Sequence, residues 1–231
     1  MMMMMNRIGL TMAAIVLVVP ATALAQFGGL GKMVKGAAGL SSSDDGAPIS
    51  MDDADAFLTG TVQSTKNVMI AAALLAGVVT EKDKAVSRKM QIEAIEKVQD
   101  PKELGAHTAL LDSDINDIKQ SDFTDKLQAE YNAGNSAKKA AISAAVFNLA
   151  LGVVRNAKLA EQAPSMISGV SRNPELVRRA GQFKAAGSLL GTQAKGFASI
   201  ASVMPKLLAV AKVKAPDAAS TSKAVPFEGF F

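Results

Sequence analysis

The amino-acid sequence predicts an all-α protein, a multi-helix bundle of about six to seven helices between flexible N- and C-terminal tails, and three observations predict it. Apolar residues recur at alternating steps of three and four along most of the chain. Alanine carries much of an apolar fraction of 49 %, while aromatic residues make up only 4 %. No segment alternates apolar and polar side chains as a half-buried strand would, and no repeat of fixed period is present. Alanine is the best helix former but buries little area, so such helices approach closely and gain little from each contact.

The first 25 residues read as a secretory signal peptide. Arg7 gives the positive n-region, residues 8–19 form a short apolar segment, Pro20 breaks it, and Ala23-Leu24-Ala25 offers the small residues of a cleavage site. Twelve helical residues span roughly 18 Å, short of a bilayer core of about 30 Å. Cleavage leaves Gln26 first. The chain contains no cysteine, which excludes a lipid-modified N-terminus and a disulfide framework. An exported, cysteine-free chain with this site reads as bacterial, with a periplasmic or secreted destination.

Residues 26–49 follow as a Gly/Ser-rich flexible segment and linker. Glycine costs up to about 1 kcal/mol per interior helix position, and residues 26–40 hold five glycines. The helical domain then spans residues 50–214. Ser50 with Asp53 resembles a capping box. Leu58, Val62, Thr65, Met69, Ala72, Ala76 and Val79 place one stripe on a long helix. Thr80 and Asp83 resemble a second cap, before a helix carrying Ala85, Ile92, Ile95 and Val98. Pro101 opens the next helix, with a stripe at Leu104, Thr108, Leu111, Ile115 and Ile118. Leu127 and Tyr131 continue helically up to the turn Ala133-Gly134-Asn135-Ser136.

Residues 137–162 are expected to be the most apolar helix, with Ile142, Val146, Leu149, Val153 and Ala157 at its centre. Pro164 and Asn173-Pro174 mark the next breaks, Asn173 placed to cap and Pro174 at a first helical position. Leu176, Ala180, Phe183 and Leu190 give another stripe; Phe197, Ile200, Met204 and Leu208 give the last. Residues 215–231 are a polar, proline-containing C-terminal tail.

The chemistry is defined first by what is missing. Zero cysteines remove thiol catalysis and Cys-based metal or haem sites. His107 is the sole imidazole, and no Gly-x-Ser-x-Gly elbow accompanies it. Asp112-Ser113-Asp114-Ile115-Asn116 imitates the start of a calcium loop, but Asp117 stands where glycine is needed and Phe123 where a bidentate Glu belongs. It reads instead as an acidic, solvated helix face. Asp52, Asp53 and Asp55 fit the first turn of a helix through the dipole. The glycines of residues 27–32 lack phosphate-loop spacing, and Gly187 and Gly191 read as helix-packing positions. No catalytic, cofactor-binding or metal-binding residue is therefore assigned, and no cofactor is expected.

Charge is the informative signal. Residues 26–134 carry 11 basic and 17 acidic side chains, and residues 135–231 carry 13 and 4. Either the halves neutralise each other, or the basic half meets an anionic envelope component. Arg172, Arg178, Arg179, Lys184 and Lys195 are the expected contacts, with Arg178 and Arg179 the densest pair. Nucleic acid is not expected, since stacking aromatics are nearly absent. The expected role is non-enzymatic binding or assembly in the bacterial cell envelope, involving an anionic component or another envelope protein. The alternatives are a membrane-associating or pore-forming amphipathic protein, with peripheral membrane contact, and a hydrolase with a dispersed active site.

Overall fold

The structure, a computed structural model, describes residues 48–79, 85–216 and 223–226. The expected signal peptide of residues 1–25, the expected linker up to residue 47, the expected cap at Thr80 and Asp83, and residues 217–222 and 227–231 lie outside the described residues. Eight α-helices and no strand occur among the described residues: α1 (Met51–Val79), α2 (Ala85–Lys97), α3 (Pro101–Gly105), α4 (Thr108–Ile118), α5 (Phe123–Ala133), α6 (Ser136–Val170), α7 (Ala180–Ile200) and α8 (Met204–Ala211). A 3-10 turn at Val177–Arg179 precedes α7. The all-α bundle is the fold that the spacing predicts.

The local signals act largely as expected. Asp53 N–H donates to the Ser50 hydroxyl at 3.1 Å, and that hydroxyl donates to the Asp53 carboxylate at 2.6 Å. Asp100 caps α3 by accepting the Lys102 N–H at 2.7 Å, with Pro101 in the first turn. The other Asp100 oxygen accepts from Gln182 Nε2 at 2.8 Å, tying this cap to α7. That bond, with the Lys102 N–H, holds the Asp100 carboxyl below the usual carboxylate range. Asn135 caps α6 through the Lys138 N–H at 2.9 Å.

Four boundaries differ from expectation. α6 does not stop before Pro164 but runs through it to Val170. A mid-helix proline removes one N–H bond and costs about 3 kcal/mol. Burial of Ala160, Ala163 and Val170 against Phe57, Leu58 and Phe183 outweighs that loss. Asn173 caps a turn, accepting the Glu175 N–H at 3.0 Å, and α7 begins only at Ala180. Its amide also donates to the Ile49 carbonyl at 3.0 Å, anchoring the lead-in to α1. Finally, Leu104 to Ile118 is two helices, turning at Ala106-His107, whereas Phe183 to Ile200 is one. The last break falls after Ile200, because Pro205 enters the first turn of α8 and cannot continue α7. α7 and α8 meet there at a 74° bend.

α1 is the central element, packing on α2, α3, α4, α5, α6 and α7, and α6 lies along it as the principal partner. All of its predicted stripe is buried except Val79, which is half-buried. At the α1–α6 crossing, Gly152 brings the backbones close enough for Ser64 Oγ to donate to the Gly152 carbonyl at 3.3 Å. A Cβ on Gly152 would stand 2.2 Å from Val68 Cγ2, so only glycine fits this crossing.

The interior has two apolar clusters. The larger draws on all eight helices around Val68, Leu75, Ile118, Leu127, Ile142 and Leu149. The smaller gathers the start of α1, the end of α6 and the start of α7, where Phe57 and Phe183 stack at 5.9 Å. Between them runs a buried polar seam. Asn156 Nδ2 donates to Gln193 Oε1, and Gln193 Nε2 donates to Thr65 Oγ1 at 2.9 Å. The seam links α6, α7 and α1, and Asn156 Oδ1 has no hydrogen-bond partner among the described residues.

Candidate functional site

Opposite its apolar stripe, α1 carries Thr59, Gln63, Lys66 and Asn67, spaced by four and three so that they share one face. α6 sets Arg155 opposite them, the end of α2 brings Glu96 and Gln99, and residues 223–226 close the far side. Together they surround a cavity of about 780 Å³ whose apolar lining includes Val62 and Ile70. A smaller cavity of about 290 Å³ adjoins it, sharing Gln63 and Arg155 and adding Lys158, Leu159 and Gln162. Among the described residues, the combined cleft carries Lys66, Arg155, Lys158 and Lys223 and the carboxylate of Glu96.

Lys66 is fixed in place. Its ammonium donates to the carbonyls of Glu96 and Val98, the latter at 2.9 Å. These lie at the C-terminal end of α2, where cations are favoured. Residues 223–226 are held from below: Asn148 Nδ2 donates to the Val225 carbonyl at 2.7 Å, and the Val225 N–H donates to Asn148 Oδ1 at 2.8 Å. Asn148 is fully buried, while the Val225 side chain stays exposed. An anionic or hydrogen-bonding ligand could be oriented in such a cleft.

The five expected anion contacts lie elsewhere. Arg172 is exposed in the turn after α6, and Arg178 is exposed in the 3-10 turn. Arg179 is half-buried, paired with Asp55 at 2.6 Å and donating to Gln182 at 3.3 Å. The acidic N-terminal part of α1 thus receives a cation from the basic half at Asp55, the internal neutralisation that the charge pattern allows. Lys184 and Lys195 are exposed and, eleven residues apart, lie on the same side of α7. None of the five lines the cleft.

Two other readings change in detail. Asp112 to Asn116 lies within α4, but it is not uniformly solvated: Asp114 is only 1 % exposed. Its carboxylate accepts from Arg88, bridging α4 to α2, and Asp117 lies 3.9 Å from the same guanidinium. Burial pushes the Asp114 carboxyl up to about 6 against the opposing pull of Arg88. Gly187 is a packing position, with Ile167 Cδ1 only 2.8 Å from where a Cβ would sit; Gly191 faces open space. His107 is half-buried at the α3–α4 junction. Among the described residues, no three His, Cys, Asp or Glu side chains converge as metal ligands would.

Sequence reasoning missed Lys66 and Asn148 because both sit inside strongly apolar helices. The spacing Thr59, Gln63, Lys66, Asn67 was the available signal, a polar face on a helix otherwise read for its apolar one. Comparison with known proteins finds no matching protein family, no matching curated protein and no matching solved structure.

Proposed function

We propose that the protein is a non-enzymatic binding or assembly factor of the bacterial cell envelope, acting after export, which holds an anionic envelope component in the α1–α6 cleft. The supporting observation is the lining of that cleft: Lys66, Arg155, Lys158 and Lys223 converge on it from three parts of the chain, and cations outnumber carboxylates among the described lining residues. Amide and hydroxyl groups of Thr59, Gln63, Asn67 and Gln99 supply hydrogen bonds, and Val62 and Ile70 supply apolar contact. The exposed cations Arg172, Arg178, Lys184 and Lys195 lie outside the cleft and are suited to steering.

The test is co-sedimentation with phosphatidylglycerol or phosphatidylcholine vesicles across a salt series. Near an anionic membrane each cation contributes about 1 kcal/mol, screened within about 8 Å at physiological salt. Binding to the anionic vesicles should therefore be modest and fall steeply with salt. Arg155→Glu with Lys158→Glu should weaken it at least tenfold, and more than Arg178→Glu with Lys184→Glu does. Equal binding to both vesicle types, or none to either, removes the anionic lipid surface as the component held.

A second reading, membrane insertion, rests on one specific observation. α1 and α6 are both long and apolar enough to cross a membrane, by length and composition, and about two thirds of each apolar window is buried inside the bundle. At 1.5 Å per residue they span roughly 43 and 52 Å, against a bilayer core of about 30 Å. Insertion predicts dye release from loaded vesicles; binding without release favours the cleft alone.

A further inference from the structure

We propose that the face of α6 around Asn148 is a recognition site for the backbone of an extended peptide, occupied in this chain by its own residues 223–226. This goes beyond the anion-binding reading and does not depend on it. A side-chain amide presents one donor and one acceptor side by side, as a neighbouring strand does. Asn148 uses both on a single residue, taking the N–H and the carbonyl of Val225 at 2.8 and 2.7 Å. The contact is long-range, 77 residues apart in the chain, so it is no local turn or cap.

Two features mark this as a seat for a chain segment. Asn148 lies on a helix face with Ala144 and Leu151, and all three are buried. Val225 is the residue hydrogen-bonded on this face, through both its main-chain groups. Without such an occupant, the buried Asn148 amide would lose both of these hydrogen bonds. The occupant, in turn, is read mainly through its backbone: Lys223, Val225 and Pro226 keep their side chains exposed, and the small Ala224 is half-buried. A site that grips main chain in this way accepts extended peptides with small or outward-facing side chains, as edge-strand recognition does.

The seated segment also walls the larger cavity, contributing Lys223, Ala224, Val225 and Pro226 to its lining. A peptide arriving in trans must displace the chain's own segment, so the resident occupant sets the affinity threshold for any other.

The experiment uses the full chain and a labelled synthetic peptide of residues 217–231. In the wild type, the Val225 amide should exchange at least tenfold more slowly than in the free peptide. Asn148→Leu should abolish that protection. Val225→Pro deletes the N–H donor from the tail without touching the bundle, so it should free the seat. It should bind the peptide at least tenfold more tightly than wild type does, and tryptic cleavage after Lys223 should quicken. Adding Asn148→Leu to Val225→Pro should abolish peptide binding. An unprotected Val225 amide in the wild type overturns the proposal, as does peptide binding unchanged by Asn148→Leu. Should Asn148→Leu fail to fold, the peptide affinity and cleavage rate of Val225→Pro decide, and no change in either rejects the site. Vesicle binding is read separately, so loss of the anion-binding reading leaves these outcomes intact.

Discussion

Replacing Gly152 with alanine tests the feature on which the bundle turns, the close crossing of α1 and α6. An added Cβ would lie 2.2 Å from Val68 Cγ2 and 3.4 Å from the Ser64 carbonyl oxygen. Reaching ordinary contact requires the valine methyl to retreat by about 1.2 Å, in an interior packed as densely as a crystal. Val68 is fully buried and has nowhere to turn. Overpacking of this kind costs about 1–3 kcal/mol, and the clash places Gly152→Ala at the upper end. Alanine's helix propensity returns up to about 1 kcal/mol. The net loss is about 2 kcal/mol, a fall in Tm of about 4–8 °C for a domain of this size. Gly191→Ala is the internal control, because nothing lies within 4 Å of its added methyl; it should raise Tm by about 2–4 °C. Val68→Ala alone costs about 2–3 kcal/mol by emptying the space, yet combined with Gly152→Ala it removes the clash. The double-mutant cycle should show about 2 kcal/mol of favourable coupling. Thermal unfolding by circular dichroism reads all four proteins. If Gly152→Ala stabilises as Gly191→Ala does, or the cycle shows no coupling, the crossing is not the constraint described.

Three further outcomes are expected. The Asp114 carboxyl, raised by burial to about 6 from an ordinary 3.8, takes up a proton in the folded state before the unfolded chain does. Its penalty is therefore in full force above pH 6 and is relieved as pH falls towards 4, so wild type should gain on the order of 3 kcal/mol relative to Asp114→Asn over that window; parallel stability-versus-pH curves would contradict this. Gln193→Met strips partners from both Asn156 and Thr65 at a fully buried position, and chemical denaturation should show a loss of about 2–4 kcal/mol. Gln182→Ala releases the side-chain bond to Asp100, the leading cause of that residue's lowered pKa; an NMR titration should move the carboxyl upwards, towards its ordinary value.

How much of this was legible in the sequence depends on whether a feature is local. The stripe from Leu58 to Ala76 encodes burial through spacing alone, and Ser50, Asp100 and Asn135 encode helix starts through side chains that reach their own backbone. Pro164 misleads because its cost is local while its compensation, Ala160 and Val170 against Phe57 and Phe183, comes from distant residues. Asp114 misleads similarly: neighbouring acids suggest a solvated face, and only Arg88, 26 residues away, makes burial tolerable. Asn148 carried no signal, because its partner is main-chain atoms of Val225, whose identity leaves no trace in composition.

The polar seam bears on how the two longest helices remain in the bundle. α1 and α6 have the apolar length that a bilayer would accept, so apolar burial alone does not distinguish a bundle interior from a membrane. Thr65, Gln193 and Asn156 make that distinction, since each is buried and Gln193 on α7 hydrogen-bonds both Asn156 on α6 and Thr65 on α1. In hydrocarbon those partners would have to travel together or be lost, at about 1–3 kcal/mol for each group left unpaired. The same logic gives the seam its specificity. A one-turn slide of α6 along α1 would keep most apolar contacts, but it would separate Asn156 from Gln193 and Gly152 from Val68. Register is thus held at two neighbouring points, one by hydrogen bonding and one by the absence of a side chain. The cleft depends on that register, because Arg155 and Lys158 flank Asn156 on α6, and Lys66 follows Thr65 on α1. Sliding the helices would pull the cationic rim apart together with the seam.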